Sequence, residues 1–404
     1  MPILRMLEFI AKVIAHFSDL LTRPQQRQLG RYLTGLLVGP PWTVRGITRR
    51  TVGATDQSNL NRFLTQSPWS EEELNQRRVE MLQSHPATAS RPEGLLVIDD
   101  TLTEKKGEKI EGVSRYTRHD GGKVLGHNLV TCRYVDWRTD WPISQRRYRK
   151  REECADPSEF RTKIQLAQEL LSEAQQRFGV AAQTAAFDAA YLCPAMIRHC
   201  EALGLDWIAG CQSNRTLLGD SGRKVSVGEY VARAPAQYYR PVRVSGRTYY
   251  CFTHTVKMPS LKGRVRLLAV HERADCSDEV RLLVTNRLAW SAHRALRRYG
   301  HRWAIERGYR AAKRVLGFSA YQLRRPDWSG TKHWCLVWLA DSLLPLCRAL
   351  GVPQRAARRF LRSTEALHHA AERQILDGLV DYIWQKFNQH HSPDQVKRLL
   401  AAYV

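Results

Sequence analysis

The chain has 404 residues, of which 43% are hydrophobic, and its 63 Lys and Arg against 39 Asp and Glu give a formal net charge of +24. This hydrophobic content excludes a largely disordered chain, and the length is sufficient for two or three domains. The excess of positive charge indicates a polyanionic partner, with nucleic acid ahead of an anionic membrane, although a solvated basic surface is the alternative.

Neither a membrane segment nor a disulfide framework is expected. The N-terminal helix candidate, residues 3–22, contains Arg5, Glu8 and Lys12, and the apolar run at residues 334–340 is too short to span a bilayer. The nine cysteines are scattered, and no C-x-x-C pair occurs among them. These features predict a cytoplasmic protein with reduced thiols and no membrane partner.

Residues 1–90 are predicted to form a helical, DNA-binding region. Ser70 and Glu73 have the spacing of a capping box at the start of a helix. The preceding sequence has the pattern of two short helices around a turn, and the first of them carries Arg45, Arg49 and Arg50. A helix-turn-helix DNA reader fits this pattern, and so does a plain helical subdomain.

Residues 91–211 have the pattern of an α/β core. The sequence GLLVIDDT at residues 94–101 predicts a buried strand that ends in two acids, and Asp188 is predicted to lie where a later strand joins a helix. The predicted order is strand, strand, strand, helix, strand, helix, strand. This order is typical of a mixed sheet of the RNase H type.

The remaining segments complete the predicted architecture. Residues 212–288 consist of short β segments separated by turns, which predicts an antiparallel β-rich insertion. Residues 289–325 complete the core with a basic helix, and residues 326–404 are predicted to be helical. The predicted fold class is therefore α/β, with an RNase H-like mixed-sheet core, a β-rich insertion, and helical N- and C-terminal regions.

One segment near residue 300 carries the most specific pattern in the chain. Tyr299, Arg302, Glu306 and Lys313 follow the spacing Tyr-x2-Arg-x3-Glu-x6-Lys. On a single α-helix, an advance of about 100° per residue would place all four on one face. Residues 291–325 contain ten Lys or Arg and a single acid. A solvated helix face does not account for this much positive charge around one carboxylate.

Three acids are candidates for a metal site. Asp100 and Asp188 are predicted at the ends of strands, where ligands of α/β sheets gather, and Glu306 is predicted on the basic helix. Separately, each has a simpler interpretation, since Asp often caps a turn or helix and Glu306 can pair with Arg302 or Arg310. Together they suit Mg²⁺, a hard ion that takes oxygen ligands, and two such ions can assist displacement at phosphorus.

On these residues the chain resembles insertion-sequence transposases of the DDE superfamily, in the group with the Tyr-x2-Arg-x3-Glu-x6-Lys signature. The resemblance covers residue 94 to about residue 350. It implies that Asp100, Asp188 and Glu306 bind two Mg²⁺ ions, with Mn²⁺ as a substitute. Asp99 and Asp100 point to opposite faces of a strand, and the Asp-Thr pattern of the family favours Asp100.

The resemblance also implies an activity and partners. The expected protein is prokaryotic, cleaves double-stranded DNA at the ends of a mobile element, and joins the freed 3′-hydroxyl to target DNA as a homodimer. Two alternatives are a nuclease without strand transfer and a transposase-derived DNA-binding protein without catalysis. Residues expected to contact DNA are Tyr299, Arg302, Lys313, Arg310, Arg146, Arg147, Arg149, Lys105 and Arg115.

Overall fold

The computed structural model describes residues 2–53, 56–118, 121–219, 222–324, 328–349, 364–389 and 392–401. Over these ranges the chain is mixed α/β with helical regions toward both ends, which confirms the predicted fold class. No helix in these ranges is long and apolar enough to cross a membrane. All nine cysteines are free thiols.

The chain divides into two compact units, and each is assembled from separate stretches of sequence. Unit 1 consists of Met1–Ala89, Leu102–Asn128 and Arg307–Val404, and unit 2 of Ser90–Thr101 and Leu129–Glu306. The helices, in chain order, are α1 Glu8–Ala15, α2 Arg23–Leu37, α3 Val44–Arg50, α4 Gln57–Thr65, α5 Glu71–Gln83, α6 Lys163–Ser172, α7 Pro194–Ala202, α8 Val227–Ala232, α9 Ala292–Gly300, α10 Trp303–Val315, α11 Trp328–Ala349, α12 Thr364–Asn388 and α13 Pro393–Ala401.

A mixed β-sheet forms the framework of unit 2. From β3 onward its strand order is β3-β1-β5-β6-β12-β11-β10-β7-β8, with β4 beside β3 and β9 beside β10. The strands are β1 Leu95–Glu104, β2 Ser114–Thr117, β3 Lys123–Val135, β4 Asp140–Tyr148, β5 Thr184–Phe187, β6 Asp206–Gly210, β7 Thr216–Leu218, β8 Lys224–Ser226, β9 Arg240–Val244, β10 Arg247–Lys257, β11 Arg264–His271 and β12 Arg281–Thr285.

The strands between residues 212 and 288 extend the core sheet. β5 lies parallel to both β1 and β6, as expected for strands joined by crossover helices. β12 then pairs antiparallel with β6, with Leu283 opposite Gly210, and β11 and β10 follow it. The predicted antiparallel character is therefore present, and hydrogen bonds join this region to the parallel part of the sheet.

Two local predictions differ from the structure. Residues 212–288 were expected to consist of short β segments separated by turns, but β8 ends at Ser226, which caps helix α8 in a capping box with Glu229. Asp188 was expected at a direct strand-to-helix join, but it follows β5 in a loop, and α7 begins only at Pro194.

The segment from Tyr299 to Lys313 is not one helix, which corrects the expectation that its four signature residues share a helix face. Helix α9 ends at Gly300 and α10 begins at Trp303. Between them the backbone N–H groups of His301 and Arg302 bond to carbonyls three residues back. A turn with hydrogen bonds three residues back is wound more tightly than an α-helix, so the 100° rule does not apply across it.

Unit 1 contains a fully buried histidine on α11. The Nδ1 atom of His333 lies 2.7 Å from the hydroxyl of Tyr32, and its Nε2 lies 3.3 Å from the carbonyl of Phe318. Because a carbonyl only accepts, we assign the proton to Nε2, and Nδ1 accepts from Tyr32. Burial, assisted by the charge of Lys105, lowers the pKa of His333 from 6.5 to about 3. This histidine is therefore neutral in the folded protein.

This buried histidine predicts an acid-sensitive stability. The unfolded histidine binds a proton below pH 6.5 and the folded one only below about pH 3. Unit 1 should therefore lose about 1.4 kcal/mol per pH unit as the pH falls between these values. In urea unfolding from pH 7.5 to 5.0, the parent should lose about 2 kcal/mol more than a His333→Gln variant. Equal losses in both proteins would contradict a neutral buried His333.

Candidate active site

Two neighbouring carboxylates lie in the middle of β1, which continues to Glu104 and does not end at these acids as the sequence predicted. Four buried residues, Leu95 to Ile98, fix this strand in the sheet, and alternation then sends the next two side chains to opposite faces. Asp99 lies 3.1 Å from the guanidinium of Arg302. Asp100 instead accepts from the amino group of Lys163 at 2.7 Å and from the hydroxyl of Tyr191 at 3.1 Å. The two acids therefore have different partners.

Asp188 lies close to Asp99. Ile98 and Phe187 are partners in the parallel pairing of β1 with β5, so Asp99 in β1 and Asp188 in the loop after β5 both come directly after this pair. One oxygen of Asp188 accepts from the backbone N–H of Ala190 at 2.9 Å, which fixes the turn after β5. Burial raises the pKa of Asp99, and the negative charge of Asp188 adds to this shift. The two carboxylates thus lie close together.

Glu306 is connected to Asp99 by the guanidinium of Arg302. It lies in the first turn of α10, and its carboxylate accepts from Nη2 of Arg302 at 2.6 Å. Because Nη1 of the same guanidinium contacts Asp99, Arg302 bridges the two acids, with its side chain only 11% exposed. The guanidinium carbon also lies 5.5 Å from the centre of the Tyr299 ring. The structure therefore brings Asp99, Asp188 and Glu306 together and leaves Asp100 on another face of β1.

The electrostatics of this cluster suit a bound cation. Burial raises the pKa of Asp99 to about 7; the charge of Arg302 opposes this shift, and the carboxylates of Asp188 and Asp100 add to it. A carboxyl group that is hard to ionise among other acids becomes easier to ionise when a metal ion is present. The donors are carboxylate oxygens, which Mg²⁺ prefers. The residues therefore fit a divalent metal ion.

Two basic residues of the predicted DNA-contacting set lie on α10 in unit 1. Arg310 is exposed, whereas Lys313 is half-buried. Burial lowers the pKa of Lys313, and the charge of Glu104 opposes this effect. Both side chains retain some access to solvent, as a phosphate contact requires.

Lys105 has an environment that does not fit its predicted role at DNA. Its side chain is buried, and its amino group donates to the carbonyls of Tyr321 at 2.7 Å and Ser319 at 3.1 Å. Burial lowers its pKa to about 7. Lys105 is thus enclosed within unit 1 and is not part of the DNA-facing set proposed below.

The other predicted basic residues differ in how far their charge is already compensated. Arg115 is exposed and pairs with Glu108 at 3.0 Å. Arg146 lies 2.9 Å from Glu173, so much of its charge is neutralised within unit 2. Arg147 and Arg149 are half-buried at the end of β4 and beyond it.

Sequence reasoning did not identify Lys163 and Tyr191 as partners of Asp100. Lys163 is the first residue of α6, directly after the capping residue Thr162, and Tyr191 lies buried in the loop after β5. Their separations from Asp100 are 63 and 91 residues. No local spacing pattern could have connected them.

Comparison with known proteins places these residues in a family. The sequence profile of a family described as DDE superfamily endonuclease matches residues 16–248, more than half of the chain. This range contains Asp99, Asp100 and Asp188 and ends before Glu306. A probable transposase for insertion sequence element IS701 from Microchaete diplosiphon is 33% identical over 127 residues, which is 31% of this chain and 33% of that protein. The chain belongs to the DDE superfamily of endonucleases.

Proposed function

We propose that this protein is a transposase that cuts DNA at the ends of a mobile element and joins them to target DNA. The observation that carries the proposal is the group of Asp99, Asp188 and Glu306 around one guanidinium, in a DDE-family chain with a net charge of +24. Similarity to the IS701 protein supports transposition over other uses of the same acids.

In this proposal the first metal ligand is Asp99, and Asp100 has a structural role. Asp99 is joined to Glu306 through Arg302 and lies beside Asp188. Asp100 already has two partners within unit 2, Lys163 and Tyr191. A cation held between the middle of β1, the end of β5 and the start of α10 would therefore meet Asp99.

Each residue of the site has a distinct task in the proposed reaction. Two divalent ions, Mg²⁺ or Mn²⁺, would activate the attacking oxygen and stabilise the leaving one. The three carboxylates would hold these ions. Arg302 presents a planar group of N–H donors that matches phosphate oxygens, and its contact with the Tyr299 ring holds the guanidinium plane. These two residues would fix the scissile phosphate against the acids.

The proposed DNA contacts beyond the acids come from basic side chains that solvent can reach. Arg310 and Lys313 on α10, Arg115, and Arg147 with Arg149 meet this condition. Contacts of this kind supply affinity through phosphate neutralisation and little sequence information. Binding should therefore weaken steeply with salt.

We further propose that the protein acts as a homodimer on two paired DNA ends. Four large apolar side chains on α12 support this, because they are exposed at helical spacing on one face: Leu376, Val380, Trp384 and Phe387. An exposed apolar stripe of this kind on a helix is typical of a surface that packs against another helix. A second copy of α12 would offer the same stripe.

The first test is DNA cleavage by the parent and a Glu306→Gln variant. The substrate is a supercoiled plasmid that carries the DNA flanking the gene, incubated with Mg²⁺. Gln keeps the shape of Glu306 but loses its charge, so cleavage should fall by at least about 100-fold, since even residues behind metal ligands are worth 10- to 100-fold. DNA binding in a gel shift should remain.

A matched control is Glu201→Gln, an exposed glutamate on α7, which should cleave like the parent. Undiminished cleavage by Glu306→Gln would reject the proposed site. Discrete cuts without any products joined to target DNA would instead establish a nuclease that lacks strand transfer.

A further inference from the structure

A second group of metal-binding side chains lies on α12. Within the described part of the chain, His368, His369 and Glu372 form a group of potential ligands whose donor atoms all lie within 4.8 Å of one another. Glu372 follows the two histidines by four and three residues, so helical spacing turns it toward both. Its oxygens lie 3.4 Å from Nε2 of His368 and 3.1 Å from Nδ1 of His369.

The orientation of His368 is fixed by the backbone. Its Nδ1 lies 2.5 Å from the carbonyl oxygen of Leu37, at the end of α2. Because a carbonyl only accepts, Nδ1 carries a proton. Nε2 is therefore the ring nitrogen that faces the Glu372 carboxylate, and either a proton or a metal cation can lie between the two.

Gly39 leaves space for the imidazole ring of His368. Gly39 packs against His368, and a Cβ atom on Gly39 would lie 3.0 Å from Cε1 of the imidazole. Gly39 also has a φ of +94°, which a residue with a side chain rarely adopts. Backbone conformation and the close approach of the ring thus both require glycine here. A carbonyl that orients one ring nitrogen while the other faces outward is the usual arrangement behind metal-binding histidines.

We propose that His368, His369 and Glu372 bind a divalent transition-metal ion of the Zn²⁺ class. Two imidazole nitrogens and one carboxylate oxygen form a donor set that suits Zn²⁺ and not Mg²⁺. Ligands at 2.0–2.1 Å from a tetrahedral Zn²⁺ lie about 3.3 Å apart. Nε2 of His368 lies 3.4 Å from one oxygen of Glu372, and Nδ1 of His369 lies 3.1 Å from the other, so both separations are close to this value.

The ion would link two helices of unit 1. His368 connects α12 to the last residue of α2 through Leu37, and a metal on its Nε2 would hold the imidazole in this orientation. The fourth position is left to water. This site uses none of the residues assigned to DNA cleavage, so the two proposals stand separately.

The test is Zn²⁺ binding by the full-length, untagged chain after removal of metal with a chelator. Calorimetric titration should show a site whose affinity falls at least tenfold in His369→Gln and in Glu372→Gln. Exposed His293 on α9 provides the control, because His293→Gln should bind Zn²⁺ like the parent. Saturating Zn²⁺ should raise the melting temperature of the parent by roughly 5 °C, and not that of the two variants.

Two outcomes would overturn the proposal. Unchanged affinity in both variants would mean that Zn²⁺ binds elsewhere, as an adventitious ion only. The absence of saturable binding by the parent would exclude the site altogether. Misfolding does not confuse the result, because the side chain of His369 is 72% exposed and its replacement leaves the core intact. No DNA is present, so failure of this test leaves the proposed cleavage activity untouched.

Discussion

Replacement of Asp99 by asparagine is expected to remove Mg²⁺-dependent DNA cleavage, whereas replacement of Asp100 should leave most of it. Asp99→Asn deletes the charge of the acid that lies with Asp188 and Glu306, and the loss should reach at least about 100-fold. Asp100→Asn instead weakens contacts with Lys163 and Tyr191, and its effect should be mainly on stability.

The measurement is the initial cleavage rate over a range of Mg²⁺ concentrations, with urea unfolding of both variants alongside. Asp100→Asn should keep the Mg²⁺ midpoint of the parent. It should lose about 1–2 kcal/mol of stability, since a hydrogen-bonded charge is replaced by a neutral amide. The reverse pattern, with Asp99→Asn active and Asp100→Asn inactive, would place Asp100 at the metal and reject the arrangement proposed here.

Replacement of Gly317 by alanine is expected to destabilise unit 1 strongly. Gly317 lies two residues after the end of α10 and has a φ of +64°. A Cβ atom added to it would lie 2.4 Å from Cγ of Trp42. The left-handed conformation costs a residue with a side chain about 1–2 kcal/mol. Forcing a methyl group into packed side chains costs a further 1–3 kcal/mol or so. Together the loss should be about 2–5 kcal/mol.

A Gly53→Ala variant separates the cost of the left-handed conformation from the cost of the packing clash. Gly53 lies in the same unit with a φ of +73°, but an added Cβ would meet no atom of the described residues within 4 Å. Gly53→Ala should therefore lose only the conformational part, about 1–2 kcal/mol. Chemical unfolding of both variants measures the difference. Equal losses would show that Trp42 moves aside without cost, and that the contact with Gly317 is not a constraint on this part of unit 1.

The sequence predicted the framework of the core because that information is local. β1 opens with the apolar run Leu95 to Ile98, and β5 and β6 are short and mostly apolar; such runs predict buried strands. Helix starts were equally visible, since Ser70 accepts from the backbone N–H of Glu73 as the capping pattern predicts. Pairing of β12 with β6 was not visible, because strand partners distant in sequence leave no local trace.

At the candidate site, too, contacts between residues distant in sequence could not be predicted. Strand alternation establishes that Asp99 and Asp100 point apart, but not which of them faces Glu306. That choice depends on Arg302, which lies 203 residues away from Asp99 in the sequence. The break between α9 and α10 was missed because the amphipathic pattern continues through it. Gly300 was the only local indication, since glycine weakens a helix.

The bridge made by Arg302 between Asp99 and Glu306 has a consequence for how such a protein is made and kept in the cell. The guanidinium of Arg302 is a counter-ion for both carboxylates, so this part of unit 2 can fold in the absence of a metal ion. At the proposed metal site, entry of a metal would then be an exchange of one cation for another, and the displaced arginine would become available to the substrate. Because the metal must displace Arg302, the apparent affinity of the site for the ion is weakened. A newly synthesised molecule would therefore remain catalytically inactive until both metal and DNA are bound.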